Sequence, residues 1–102
     1  MITPDPTKTI LVENVRVTED TLIVDFDDGR FLSLPLAWYP RLQHGTPKER
    51  SVWELCGAGR GIHWRLLDED LNADGLLAGR HSGESEASFN RWHKARAKKR
   101  RS

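Results

Sequence analysis

The sequence predicts a two-layer α+β domain in which an antiparallel sheet of about five strands, a β-meander followed by a hairpin, is covered by short helices. Hydrophobic residues alternate through the first third of the chain, with Leu22, Val24 and Phe26 on one side, which is the period of a half-buried strand. Asp27-Asp28-Gly29 interrupts that alternation with a dipeptide typical of hairpin turns. The chain ends in a basic segment, which predicts a C-terminal helix with a basic end.

The alternation divides the first third of the chain into three strands. We expect them at residues 10–17, 21–26 and 30–34, with the first turn at Glu19-Asp20. Pro35 has no N–H to donate to a ladder, so the third strand should end there or lie at an edge.

Short helical segments are predicted next. Leu36–Tyr39 fits one helical turn cut short by Pro40, because a residue before proline is disfavoured in the α region. Thr46-Pro47-Lys48-Glu49 matches a capping box, with proline at the first helical position and glutamate at the third. That helix must be short, since strand-like alternation resumes at Ser51.

The second half predicts another hairpin and one more short helix. Residues 52–55 and 62–66 read as strands joined by the glycine-rich Cys56–Gly61. The acidic run Asp68-Glu69-Asp70 is expected to break the second of these strands. Asn72 is a predicted N-cap for a helix that runs to Ala78 and ends at Gly79.

Charge divides the chain into an acidic body and a basic end. Residues 1–90 carry all fifteen acidic groups and nine of the sixteen Lys and Arg, a formal charge of −6, and no acid follows Arg91. We therefore predict a domain at residues 1–80, followed by a hinge and basic helix at residues 81–102. Ser85 would cap that helix, which should run from Glu86 toward Lys99.

Composition restricts the class of protein. The single cysteine, Cys56, rules out an internal disulfide framework and favours a reducing compartment. No apolar run reaches the roughly 20 residues of a membrane span, and the N-terminus lacks the pattern of a secretory signal. We expect a cytoplasmic protein without membrane contacts.

Several segments together resemble one bacterial protein family. DFDDGR, LPLAWYPRL, TPKERSVWEL and above all the run from Ile62 to Gly79, IHW-x-x-LDEDL-x-x-x-x-LLAG, are similar to the domain of unknown function 2442 (DUF2442) over roughly residues 10–80. The resemblance implies a short α+β protein without an established activity. It also implies a toxin–antitoxin-like pairing with another small protein, and it supplies no catalytic residues.

No segment has the pattern of an active site. Cys56–Gly61 lacks the Lys-Ser/Thr of a P-loop and is better explained as a hairpin loop. An acid–base or metal cluster would require the sheet to bring His63 together with Asp68 and Asp70, and metal sites need three or four converging ligands. We therefore expect neither an enzyme nor a metal or cofactor site.

Binding is the function that the sequence favours. Trp, Tyr and Arg dominate interaction hot spots, so we expect contact with a protein partner, or with a second copy of the chain, through Trp38, Tyr39, Arg41, Phe89 and Trp92. The predicted role is a non-catalytic binding or adaptor protein, in the antitoxin-like sense that the resemblance implies. The alternative is a nucleic-acid-binding protein that neutralises phosphates with its basic end. The basic residues of that alternative are Arg91, Lys94, Arg96, Lys98, Lys99, Arg100 and Arg101.

Overall fold

The computed structural model describes the backbone of residues 9–101 and the side chains of residues 9–97. The first eight residues of the predicted domain and the side chains of Lys98, Lys99, Arg100 and Arg101 lie outside the described part.

The described chain forms six strands and four α-helices. The strands are β1 (Val12–Val17), β2 (Thr21–Phe26), β3 (Phe31–Pro35), β4 (Trp53–Cys56), β5 (Gly61–Trp64) and β6 (Glu69–Asn72). The helices are α1 (Pro40–Gln43), α2 (Pro47–Ser51), α3 (Ala73–Leu77) and α4 (Glu86–Arg101). Single 3₁₀ turns lie at Leu36–Trp38 and Gly57–Gly59.

The α+β class is confirmed, but the predicted single sheet of about five strands is wrong. The strands form two antiparallel sheets of three, in the orders β1-β2-β3 and β4-β5-β6. The acidic run was expected to break the preceding strand, but β5 already ends at Trp64; of the acidic run only Asp68 belongs to the turn, and Glu69 opens β6. Asp68 has a φ of +50°, a left-handed conformation that aspartate tolerates better than most side chains. That residue reverses the chain within a few positions and leaves room for the sixth strand.

One hydrophobic core serves both sheets. The predicted alternation on β2 is confirmed, since Leu22, Val24 and Phe26 are at most 1% exposed. Trp64 and Ile62 of β5 are fully buried in the same cluster. The indole N–H of Trp64 donates to the Arg50 carbonyl at 3.0 Å, so its one polar atom is satisfied inside the core.

Helix caps follow the local chemistry of the sequence. At α2 the Thr46 hydroxyl accepts from the Glu49 N–H at 3.1 Å and the Glu49 carboxylate accepts from the Thr46 N–H at 2.8 Å, which confirms the capping box. Asn72 caps α3 as predicted, and Ser85 accepts from the Ser88 N–H at 3.1 Å at the start of α4. Pro40 begins α1 in addition to following the 3₁₀ turn, because proline suits the first helical position.

The last helix is the longest element of the structure. It has 16 residues, so at 1.5 Å per residue it is about 24 Å long. No helix within residues 9–101 is both long and apolar enough to cross a membrane.

The capping box supports a stability prediction. Thr46→Ala removes the acceptor for the Glu49 N–H and should lower the free energy of unfolding by about 1 kcal/mol, or a melting temperature by about 5 °C. Thr46→Ser keeps the hydroxyl and should stay close to the wild type. Differential scanning calorimetry of both variants measures the effect, and equal melting temperatures for the alanine and serine variants would contradict it.

Candidate functional site

Arg41 of α1 joins two distant segments of the chain. Its side chain is 14% exposed, and its Nε lies 2.9 and 3.0 Å from the two carboxylate oxygens of Glu84. Another guanidinium nitrogen donates to the Asp68 carbonyl at 3.0 Å. The hydrogen bond from Arg41 is the main reason that the pKa of Glu84 is lowered. Arg41 therefore holds the segment before α4 against the turn between β5 and β6.

Trp92 is the centre of the contact between α4 and the body. Two guanidinium carbons lie over its ring, that of Arg41 at 5.0 Å and that of Arg96 at 4.6 Å from the ring centroid. Arg96 in turn donates to both carboxylate oxygens of Glu49, at 2.7 and 2.8 Å. Those hydrogen bonds are the main cause that lowers the pKa of Glu49 to about 2. The helix is thus docked by two cation–π contacts to Trp92, and Arg96 also ties it to the α2 capping box through Glu49.

A second group of aromatic contacts between α4 and the body lies nearer the start of the helix. The Phe89 ring lies 5.1 Å from the His44 ring and 5.7 Å from the His93 ring, and the two histidine rings are 5.3 Å apart. Phe89, Trp92 and Arg96 are spaced three and four residues apart, which puts them on one side of a helix. We call this side the docked face of α4.

The opposite side of α4 carries only small and basic residues among those described. Arg91 and Lys94 are exposed there, and neither has an ion-pair partner within the described side chains. Small residues surround them at the exposed positions Ala87, Asn90 and Ala97, while Ala95 lies at the border with the docked face and lines a cleft with Trp92 and Arg96. We call this side the basic face of α4. Of the three described residues in the predicted nucleic-acid segment, two lie on this face, while Arg96 is bound to Glu49.

Trp38 and Tyr39 do not form an exposed anchor. Tyr39 is 1% exposed and its hydroxyl donates to the Arg80 carbonyl at 3.2 Å, so it is packed in the core of this chain. Trp38 is half-buried and stacks on His81 at 3.9 Å between ring centroids. The five predicted partner-contact residues, Trp38, Tyr39, Arg41, Phe89 and Trp92, all take part in packing within the chain.

Glu69 lies in a cleft of about 410 Å³ between β6 and the segment before α4. It pairs with Trp64 across β5 and β6, which directs it to the buried side of the sheet. One carboxylate oxygen accepts from the Asp70 N–H at 3.1 Å, while the other is buried without a hydrogen-bond partner among the described residues. Burial is the main cause that raises the pKa of Glu69 to about 7. The acidic pattern Asp68-Glu69-Asp70 predicts a turn, so nothing local in the sequence indicates that Glu69 is buried.

The hypothetical acid–base cluster is assembled only in part. His63 Nδ1 lies 2.7 Å from the Asp70 carboxylate, because the two residues pair directly across β5 and β6. Asp68 is directed elsewhere, with its carboxylate 3.7 Å from Arg41. Within the described side chains, no three or more His, Cys, Asp or Glu residues are grouped so that they could hold a metal ion.

The buried carboxyl group generates a pH prediction. Because the pKa of Glu69 is raised from 4.5 to about 7 by folding, the folded state binds more protons in that range. Stability associated with Glu69 is therefore fully present below pH 4.5 and is lost as the pH rises through 7. Glu69→Gln keeps the acceptor for the Asp70 N–H, and at pH 8 it should increase the free energy of unfolding by on the order of 2 kcal/mol.

Urea denaturation at pH 4.5 and pH 8 measures this effect. The gain should be absent at pH 4.5, where the wild-type carboxyl group is neutral in the folded state. Glu13→Gln, at an exposed position of β1, is the matched control and should leave the free energy of unfolding unchanged at both pH values. A Glu69→Gln variant that follows the wild-type pH profile would contradict the prediction.

Comparisons with known proteins agree with this architecture. A crystal structure of a protein of unknown function from Rhodospirillum rubrum is similar, with a TM-score of 0.66 and 27% identity over 78% of this chain and 96% of that one. The solution NMR structure of an uncharacterised protein from Chromobacterium violaceum has a similar fold, with a TM-score of 0.62 and 23% identity over 72% of this chain and 69% of that one. No curated protein matches the chain.

A family model described as "Protein of unknown function (DUF2442)" matches residues 12–82, which include all six strands and the first three α-helices. The resemblance carried by the sequence motifs is thereby confirmed, and the chain belongs to the DUF2442 family.

Proposed function

We propose that this protein binds nucleic acid through the basic face of α4. The observation that carries the proposal is the contrast between the two faces of that helix. The aromatic residues and Arg96 of the docked face are engaged with the body, whereas Arg91 and Lys94 are exposed without an ion-pair partner among the described side chains. The sequence continues the basic segment with four more cations at residues 98–101.

The proposed interaction is electrostatic. Lysine and arginine that neutralise phosphates release condensed counterions, which gives affinity without base recognition and makes that affinity fall steeply with salt. The acidic body supports a defined orientation, because it would be repelled by the same phosphates that attract α4. The basic end of the molecule would therefore approach the polyanion first.

The proposed role is non-catalytic and cytoplasmic. Binding by α4 requires neither a metal nor a cofactor. The free and exposed thiol of Cys56 supports a reducing compartment, where it would not be oxidised.

A charge-removal experiment tests the proposal. Arg91→Gln combined with Lys94→Gln should weaken binding of the full chain to a fluorescein-labelled DNA duplex and should reduce the slope of log affinity against log salt by roughly 2. Fluorescence anisotropy over a series of salt concentrations measures both quantities.

The matched control removes two cations from the body. Arg30→Gln combined with Arg60→Gln changes the net charge equally at exposed positions outside α4, and it should leave the salt slope nearly unchanged. If both double variants lost the same amount of affinity and of salt slope, the effect would come from net charge alone, and the assignment of binding to α4 would be wrong. An absence of binding by the wild-type chain at low salt would overturn the proposed function itself.

A protein partner is the second candidate, favoured by a cleft beside the docked face. The cleft has a volume of about 430 Å³, and Leu66 lines it while remaining 41% exposed. Arg65 is exposed at its edge. A partner that inserts an apolar side chain next to a carboxylate would complement both residues. The adaptor or antitoxin-like role implied by the family resemblance would use this surface.

Site-specific photocrosslinking tests that candidate. A benzophenone amino acid at position 66 should form an adduct with one defined protein in cells, while the same amino acid at Phe31, which is 65% exposed on β3, should not. Leu66→Asp should then abolish binding of the purified adduct partner, with Phe31→Asp as the control. Adducts of equal yield at both positions, or a purified partner that binds Leu66→Asp normally, would exclude this surface.

A further inference from the structure

We infer that the basic face of α4 binds in the major groove of B-form duplex DNA. This inference rests on the nucleic-acid-binding function proposed above and names the class of nucleic acid. It is derived from the residues that the basic face carries and from those that it lacks.

The basic face lacks the groups that single-stranded nucleic acids require. Proteins that bind single strands stack unpaired bases on aromatic side chains. The aromatic residues Phe89 and Trp92 both belong to the docked face, where Trp92 is already covered by the guanidinium groups of Arg41 and Arg96. A duplex presents its bases already stacked, so it needs only the cations that the basic face offers.

The same composition disfavours binding to a membrane surface or to a protein. A helix that lies on a membrane inserts Trp, Phe or Leu between the lipids, and a protein hot spot is built on aromatic side chains. On the basic face the described residues other than Arg91 and Lys94 are alanine and asparagine. Such a face has little apolar area to bury and is attracted mainly by phosphate charge.

The shape of α4 fits the wide groove of DNA. Arg91 and Lys94, three residues apart, form a row on one side of the helix. From Arg91 to the end of α4 at Arg101 the helix rises by about 15 Å over ten residues. The major groove of B-DNA is roughly 12 Å wide and admits an α-helix, whereas that of A-form RNA is too narrow for side chains to enter. Because the residues beside the row are small, this side of the helix is narrow enough to enter the groove.

The body does not cancel the positive charge of the helix. Two carboxylates contact the docked face or belong to its lead-in segment, and each is bound by a guanidinium: Glu49 by Arg96 and Glu84 by Arg41. The charge of Arg91 also acts on Glu84, as a smaller contribution to the lowered pKa of that carboxyl group than the hydrogen bond from Arg41. Exposed charges separated by more than about 8 Å are largely screened at physiological ionic strength. The remaining acids of the body would therefore affect orientation more than affinity at the far end of α4.

Competition among nucleic acids tests the inference. The full chain is titrated into labelled duplex DNA, single-stranded DNA and double-stranded RNA of equal length, each of about 20 base pairs or bases, which is roughly two helical turns for the duplex. We expect duplex DNA to bind about tenfold or more tightly than either competitor at the same salt concentration. Methyl green, which occupies the major groove, should displace the protein, and the minor-groove ligand netropsin should not.

A substitution within the basic face provides an independent test. Ala97→Tyr leaves the charge unchanged but adds a bulky aromatic ring beside the row, so it should weaken duplex binding several-fold while single-stranded DNA binds equally or better. Ala37→Tyr, at an exposed position of the body, is the matched control and should change neither affinity. Circular dichroism of both variants verifies that α4 remains helical.

The outcomes separate this inference from the proposed function. Equal affinity for all three nucleic acids, or displacement by netropsin and not by methyl green, would overturn major-groove binding while nucleic-acid binding stood. Binding to none of them at low salt would overturn both.

Discussion

The arrangement of the C-terminal third of the chain depends on the guanidinium group of Arg41. It contacts the Asp68 carbonyl in the β5–β6 turn, the Glu84 carboxylate before α4 and the ring of Trp92 on α4. Taking such a cation out of water is costly, and several hydrogen bonds to charged and carbonyl oxygens are needed to compensate. A single planar group binds all of these partners, so Arg41 holds the start of α4 against the body, and the Arg96–Glu49 pair holds the helix further along.

The docking of α4 gives chemically similar residues opposite roles. Arg96 binds Glu49 and lies over the ring of Trp92, while Arg91, five positions earlier, is exposed to solvent. The difference follows from helix periodicity, since five residues at about 100° each place Arg91 roughly 140° around the helix from Arg96. The same periodicity that removes aromatic residues from the surface leaves a row of cations on it. Internal packing and the proposed binding function are therefore two consequences of one amphipathic helix.

The family-matched region and the helix contribute differently to the candidate site. Residues 12–82 supply Arg41 and Glu49, which hold α4, but α4 itself lies beyond that region. The cations to which we assign binding therefore belong to a segment outside the matched part of the family. The part of the chain that matches DUF2442 therefore positions α4 through Arg41 and Glu49.

The sequence by itself determined the features that local chemistry controls. The β2 alternation, the Thr46 capping box and the start of α4 after Ser85 each depend on residues within a few positions of one another. Only the tertiary structure decided that the strands form two sheets, that Tyr39 is buried and that Glu69 faces the core. It likewise decided which cations remain exposed, because the partners of Arg41 and Arg96 are 43 and 47 residues away. Such pairings depend on which surfaces meet after folding, and no local pattern in the chain encodes them.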